Sequence, residues 1–535
     1  MSSTFRRLAT VALLLLATPL VRALSIEEAT VADLHAAYST GRLTVREVVT
    51  AYLARIDAYD QRGPHLNSII NLNKLALAEA DKLDASFRST GKLSGPLHGI
   101  PVLVKDCIDA AGMPMTSGFQ GWKNYIPPAD APLVAKLKAS GAIILGKNSL
   151  SEFTFGGGDN INSVLGGYAR NPYNTAYATG GSSGGTGNSI AANFAMVGIG
   201  TDTGGSVRMP AAHNALVGLR PTVGLVSRSG VTPNSGLRDT AGPMARTVTD
   251  LALTLEAIAG PDPDDFATKT PPHGIAAPSP FPSRFSASLK KDALKGARLG
   301  VLRQAFKPAV TDPRIIANFE KTIAELKAAG AEIIDTFTVP ELDTLPRAPQ
   351  TPARLKDDFA KWFARHPGVP YASVQAIADS KLAHPLHQAR LESVAASGPF
   401  ESDPDTIKGL ATENAYRAAF TKAMDAQRID ALVFPVWAQL PVINGDRNTQ
   451  IMTSEPNPKG GVTGLGASLT FVASTLQWPG LSVPNGYLGE GLPVGLQIVG
   501  RAWDDAKIIG YAYAYEQATH YRRPPPTVPP LGPKL

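Results

Sequence analysis

The stretch NSIAANFAMVGIGTDTGG, residues 188–205, decides the fold. It reads as helix, then as strand, and then breaks at two glycines. DAPLVAKLKASGAIILGK, residues 130–147, has the same grammar: a helix, a glycine stop, a strand. HGIPVLVKD, residues 98–106, is a short apolar run expected to be a buried strand. Alternation of this kind predicts an α/β layer fold with parallel strands.

Working outward, residues 25–61 read as two helices. Ser25…Glu28 and Thr44…Glu47 both fit the capping box, in which each side chain satisfies a free backbone N–H at the helix start. Val48, Tyr52, Ile56 and Tyr59 then fall on one stripe of the second helix. Residues 261–296 are rich in Pro, Ser and Ala and read as a long surface connection. Beyond it ARLGVLR, AEIIDTF, DALVFP, GLSVP and PVGLQIVG read as strands, with helices at 313–328, 409–427 and 504–519 between and after them. Residues 24–522 are expected to form a single domain. The tail 523–535, PPPTVPPLGPKL after Arg523, is polyproline-like and is expected to lie along the surface.

The chain has 535 residues, 44% of them hydrophobic, which suits a large core rather than a disordered chain. Its formal net charge is +6, but Arg6, Arg7 and Arg22 lie in an N-terminal segment without acids. No basic stripe with interleaved aromatics is present, so nucleic-acid binding is disfavoured. Residues 1–23 combine a positive start at Arg6-Arg7, a short apolar run from Leu8 to Leu20, and the small-residue pattern Val21-Arg22-Ala23. They read as a signal peptide cut after Ala23, implying a periplasmic or secreted protein without stable membrane association. The single cysteine, Cys107, permits no intrachain disulfide and reads as a buried filler.

Three segments carry candidate chemistry. Lys105 ends an apolar run, where desolvation would lower its pKa; an ordinary strand-end lysine is the bland alternative. TGGSSGGTGN, residues 179–188, offers Ser182 and Ser183 in a glycine-rich turn. Residues 181–185 also match G-x-S-x-G around Ser183, but no strand precedes them directly; a flexible loop or an anion nest remains open. GTDTGGSVR, residues 200–208, places Ser206 behind Gly204 and Gly205, where successive N–H groups could form an oxyanion hole. Asp202 and Arg208 bracket that serine and could pair across the turn; a passive turn is the alternative. No histidine stands where it would activate Ser206. HPLH, residues 384–387, offers two histidines, but the proline and the lack of an acidic ligand at motif spacing argue against a metallohydrolase. No metal and no cofactor are expected.

Taken together, GIPVLVKDCID around Lys105, GGSSGG at 180–185 and GIGTDTGGSVRMPA at 198–211 resemble the amidase signature family. The resemblance covers most of residues 26–522 and is weakest at 261–296 and 338–408. Its appearance is nearest the exported bacterial peptide amidases. It implies a large mixed, twisted central β-sheet covered by helices on both faces. It also implies a Ser–Ser–Lys triad: Ser206 as nucleophile, Ser182 as bridging serine, neutral Lys105 as base. A cis Gly181–Ser182 bond and oxyanion donors from the N–H groups of Thr203, Gly204, Gly205 and Ser206 follow from the same resemblance, with Ser183, Asp202 and Arg208 as structural support.

The chemistry is coherent, because a serine hydroxyl needs a partner to take its proton and a lysine serves only when neutral. Strand alternation would turn Asp106 away from Lys105. Thr186-Gly187-Asn188 departs from the family's small residues and leaves the local helix start in doubt. Met113, Met115, Phe119, Trp122 and Trp437 could line an apolar pocket, although core packing is the blander reading of each. The expected substrate is a small-molecule or peptide amide, with aryl amides, esters and carbamates as alternatives. The A-type component of an amidotransferase shares the same motifs.

Overall fold

The computed structural model describes residues 26–155, 163–309, 311–345, 351–443 and 470–532. The expected signal segment 1–23, Leu24, Ser25 and the last three residues of the proline-rich tail lie outside these. The described strands are β1 (Ile69–Leu72), β2 (Pro101–Lys105), β3 (Ile143–Asn148), β4 (Arg170–Asn171), β5 (Asn174–Ala178), β6 (Val197–Asp202), β7 (Val217–Arg220), β8 (Thr240–Ala245), β9 (Arg298–Val301), β10 (Glu332–Ile334), β11 (Ala431–Pro435), β12 (Gly480–Leu488) and β13 (Leu492–Val499). Eleven of them form one sheet in the order β1-β3-β2-β6-β8-β7-β12-β13-β11-β9-β10, while β4 and β5 make a separate ribbon.

The sheet is mixed, so the parallel expectation holds only in two blocks. β3, β2 and β6 run parallel, as do β11, β9 and β10. The strands between those blocks pair antiparallel through β8, β7, β12 and β13. Every residue of β2, β3, β6, β7, β8, β11 and β13 is buried, which requires cover on both faces. The strands that escaped prediction explain themselves. β8 reads TAGPMA, a poor strand by propensity, but a Cβ at Gly242 would sit 2.0 Å from the Leu219 carbonyl oxygen, so the close approach of β7 demands glycine there.

The helix Val45–Tyr59 has the expected capping box: the Thr44 hydroxyl accepts from Glu47 N at 3.2 Å, and Glu47 Oε2 accepts from Thr44 N at 2.8 Å. The preceding helix, Val31–Ser39, starts later than predicted and is capped by Thr30 and Asp33, while Ser25 lies outside the described residues. Glu28 instead adopts a left-handed φ of 56° and receives Arg522 Nη2 at 2.7 Å. The helix Gly184–Ala191 runs straight through Thr186-Gly187-Asn188. A Cβ at Gly187 would lie 2.8 Å from Asn214 Nδ2, and Asn188 Nδ2 donates to Leu66 O at 2.8 Å, so the unusual residues answer local contacts.

The 261–296 connection is anchored rather than bare: Asp262, Asp265, Ala267, Thr268 and Phe285 are buried, and Arg228 meets Asp265 at 2.6 Å. The proline-rich tail is held against the second helix, where Arg55 Nη2 donates to Val528 O at 2.9 Å and Tyr59 Oη to Pro529 O at 2.8 Å. A second apolar cluster stands apart from the main core. It joins Met115, Phe119, Trp122 and Phe153 to Phe359 and Trp362 and to the helices Pro352–Ala364, Val374–Ser380 and Pro385–Ala396. These three helices, from the stretch where the family resemblance is weakest, thus cover an aromatic cluster beside the loop that follows β2.

Candidate active site

β2 and β6 are adjacent and parallel, and their C-terminal ends meet the glycine-rich loop after β5. Lys105, the last residue of β2, is fully buried. Its Nζ lies 2.7 Å from Ser182 Oγ and 2.8 Å from Thr201 Oγ1. The neighbouring Asp106 turns the other way: Thr116 N donates to its Oδ2 at 3.1 Å, and Lys147 Nζ lies 3.3 Å from its Oδ1. Burial therefore acts on Lys105 without a carboxylate in contact among the described residues. It pushes the amine from 10.5 down to about 8, against the weaker opposing pull of Cys107, Asp202 and Asp239.

Ser182 is 2% exposed, and the Gly181–Ser182 peptide is cis. Ser183 points into the fold. Its Oγ donates to Thr201 O at 3.2 Å and accepts from Thr201 N at 3.3 Å, clamping the loop to β6. Thr201 is thereby bound at both backbone and side chain. Cys107 is fully buried with its Sγ 3.8 Å from Thr201 Oγ1, and burial raises its thiol pKa, as suits a filler rather than a nucleophile.

Ser206 lies in the turn between β6 and the helix Arg208–His213. It is half-buried, and its hydroxyl has no hydrogen-bond partner among the described residues. The turn is organised by Asp202. Its carboxylate accepts from Gly205 N at 2.9 Å, Val207 N at 3.1 Å, Arg208 Nη2 at 3.0 Å and Arg220 Nη1 at 3.1 Å. Burial alone would raise its pKa, but Arg208 and Arg220 hold it well below the usual carboxylate range. Arg208 also donates to Thr470 O and Gln497 Oε1, each at 2.7 Å, tying the turn to β13.

One expected oxyanion donor is removed by this arrangement. The Gly205 N–H is already given to Asp202, whereas the N–H groups of Thr203, Gly204 and Ser206 have no acceptor among the described residues. Gly205 serves by its shape: its φ is +126°, and a Cβ would lie 2.0 Å from Thr470 Oγ1. Thr470 Oγ1 donates to Gly204 O at 2.6 Å, and Thr203 Oγ1 to Asp239 Oδ1 at 2.5 Å. Thr201, Arg220, Asp239, Thr470 and Gln497 therefore support the site, and the sequence reading named none of them. Thr201 was findable only by knowing that β2 and β6 are neighbours, since nothing in GTDTGG marks it.

The remaining candidates separate cleanly. Met113, Met115, Phe119 and Trp122 are all buried, the last three in the aromatic cluster, where Trp122 stacks on Trp362 at a centroid distance of 5.1 Å. Trp437 is half-buried and borders a small cavity with His213, Asn318 and Asn485. His384 caps its helix beside Pro385 and His387 is buried, and among the described residues no group of His, Cys, Asp or Glu could hold a metal ion. No described helix is long and apolar enough to cross a membrane.

A family model described as Amidase matches residues 47–509. The chain belongs to the amidase signature family. Among similar proteins is the A-type component of the glutamyl-tRNA(Gln) amidotransferase of Microcystis aeruginosa, 32% identical over 513 residues, covering 92% of this chain and 98% of that one. A probable amidase of Arabidopsis thaliana is 32% identical over 509 residues, covering 94% and 92%. The solved peptide amidase of Stenotrophomonas maltophilia superposes with a TM-score of 0.79 at 36% identity, covering 93% of this chain and 98% of that one. The amidase signature fold, with its mixed sheet between helices, is thus shared along nearly the whole chain, and the protein is an amidase acting on C–N bonds.

Proposed function

We propose that this amidase hydrolyses linear carboxamides, with amidated peptides as the leading substrate class, through an acyl-enzyme on Ser206. The observation that carries the reading is the buried Lys105 amine, with no carboxylate in contact among the described residues and 2.7 Å from Ser182 Oγ. A neutral amine has two N–H groups and one lone pair. One N–H goes to Thr201 Oγ1, and the lone pair accepts the Ser182 hydroxyl proton. Ser182 can then take the proton of Ser206 as that oxygen attacks the amide carbon. The developing oxyanion is received by the unpaired N–H groups of the 203–206 turn. On collapse the proton returns through Ser182 to the leaving nitrogen, the C–N bond breaks, and water resolves the ester by the reverse relay.

Similarity to the Stenotrophomonas maltophilia peptide amidase supports the peptide-amide assignment. The deciding experiment incubates peptide amides, anilides, fatty amides, carbamates and free amides with wild type and Ser206→Ala, measuring ammonia or amine release. Wild-type release from peptide amides, absent in Ser206→Ala, is expected; release by the variant would refute the nucleophile. Similarity to the A-type component of an amidotransferase favours a second reading, in which the released ammonia is passed to a partner protein. Strict glutamine dependence with copurifying partners would establish it. We further propose that residues 1–23 direct export, on their Arg6-Arg7 start and apolar run. N-terminal sequencing of exported protein beginning at Leu24 would support it, and retention of the segment on cytosolic protein would refute it.

A further inference from the structure

The helix Arg208–His213 begins two residues after Ser206, and the residues at its far end grip a different part of the site. Asn214, its C-cap, is fully buried and donates Nδ2 to Thr179 O at 2.9 Å and to Pro210 O at 2.7 Å. Asn171 bridges the same junction, donating Nδ2 to His213 O at 2.8 Å and to Ala178 O at 3.2 Å. Ala178 and Thr179 lead from β5 into the loop that carries Ser182. His213 closes the contact by its shape. Its ring is buried and neither nitrogen has a hydrogen-bond partner among the described residues. Burial lowers its pKa to about 3, so the imidazole stays neutral. A Cβ on Gly180, whose φ is +73°, would lie 2.9 Å from His213 Nδ1.

The other side of the Ser182 loop is held by β6, where Ser183 Oγ bonds both Thr201 O and Thr201 N. One anchor of the loop is therefore Asn214, eight residues after Ser206, and the other is Thr201, five residues before it. Both belong to one continuous piece of chain, residues 201–214, which also carries the nucleophile turn. That piece is rigid within itself: Asp202 binds Gly205 N, Val207 N and Arg208. Its Arg208 is fixed to Thr470 O and Gln497 Oε1. The spacing of the two serines thus becomes a property of a single unit rather than of two independent loops. Proton transfer between hydroxyls needs that spacing, since oxygen atoms share a proton only at about 2.5–3.0 Å. Thr179 and Pro210 are buried, and a buried carbonyl that loses its donor is costly, so without the Asn214 amide the loop would shift to find another.

We propose that Asn214 is a positioning residue that sets the register of Ser182 against Ser206. The inference rests on the relay reading of Ser182 above. Asn214 acts through Thr179 O, three residues before Ser182, and supplies the anchor opposite Ser183. His213 and Gly180 form the contact surface on which that anchor sits.

A double-mutant cycle with a neutral peptide amide tests it. Asn214→Ala should lower kcat roughly ten- to a hundredfold, the scale expected when reacting groups move by about 1 Å, with KM within about twofold. Asn214→Ser keeps a short donor and should recover part of the loss. In the Ser182→Ala background the relay hydroxyl is gone, so adding Asn214→Ala should cost less than about twofold more. General damage to the fold would instead multiply the loss by the same factor in both backgrounds. Should Asn214→Ala fail to fold, as read by near-UV circular dichroism, Gly180→Ala presses on the same joint from the loop side and carries the same cycle with the same expectation. An equal factor in both backgrounds, or a kcat within about twofold of wild type in the single variant, overturns the proposal. Wild-type kcat in Ser182→Ala alone would sink the relay and the proposal with it. A large loss in Ser182→Ala with an undiminished Asn214→Ala effect would sink the proposal alone.

Discussion

Lys105 must lose its proton before it can accept one, and the structure sets where that happens. Burial, with Ser182 and Thr201 as hydrogen-bond partners, brings the amine to about 8. At pH 7 about one lysine in eleven is then neutral, and at pH 9 about ten in eleven, so kcat should rise roughly tenfold across that interval and level off above it. The assay is steady-state release from a neutral peptide amide between pH 6 and 10, with Lys105→Arg as the companion variant. Arg stays protonated and should lower kcat by at least about a thousandfold, because it removes the base while keeping the charge.

The same shift bears on stability. Below pH 8 both folded and unfolded chains hold the proton, and the folded state carries the whole desolvation cost. Lowering the amine from 10.5 to about 8 corresponds to about 3 kcal/mol. Between pH 8 and 10.5 the unfolded chain binds more protons, so this residue's contribution makes stability rise with pH. Measured by denaturant unfolding against Lys105→Met, wild type should therefore gain by about that amount across this window. A flat rate profile from pH 6 to 10, together with an unchanged stability difference, would refute a depressed lysine as the base.

Three further outcomes follow from the packing of the site. Gly205→Ala places a Cβ where Thr470 Oγ1 stands and strains a φ of +126°, so kcat should fall at least about a hundredfold, read by single-turnover kinetics beside a thermal melt. Asp202→Asn leaves Arg208 and Arg220 buried without their counter-charge and should cost about 3–5 kcal/mol in urea unfolding. Trp122→Ala opens the aromatic cluster under the 352–396 helices and should cost about 3–5 kcal/mol by the same measurement, with partial loss of activity.

Much of this was visible in the residues themselves. The short apolar run at 98–106 located β2, the helix–glycine–strand reading of 130–147 located β3 and the helix-to-strand reading of 188–205 located β6, and strand alternation separated Lys105 from Asp106. The mixed character of the sheet was expected from the family resemblance and not from the alternation itself, because β7 and β8 carry glycine and proline at points where chain approach matters more than strand propensity. The helix expected at Glu28 starts at Val31 instead, and Glu28 is committed to Arg522, nearly five hundred residues away. Thr201 reaches Lys105 through sheet adjacency, Gln497 reaches the site through Arg208, and Thr470 through its hydrogen bond to Gly204 O, none of which a local pattern encodes. The Gly205 N–H looked like an oxyanion donor until Asp202, three residues earlier, was seen to accept it.

Everything in the proposed chemistry depends on Ser206 as the attacking group, and covalent trapping tests it most directly. A serine-directed fluorophosphonate, followed by proteolysis and mass spectrometry, should label Ser206 alone, and Ser206→Ala should take no label. An adduct on Ser182 or Ser183, or undiminished labelling of Ser206→Ala, would contradict it.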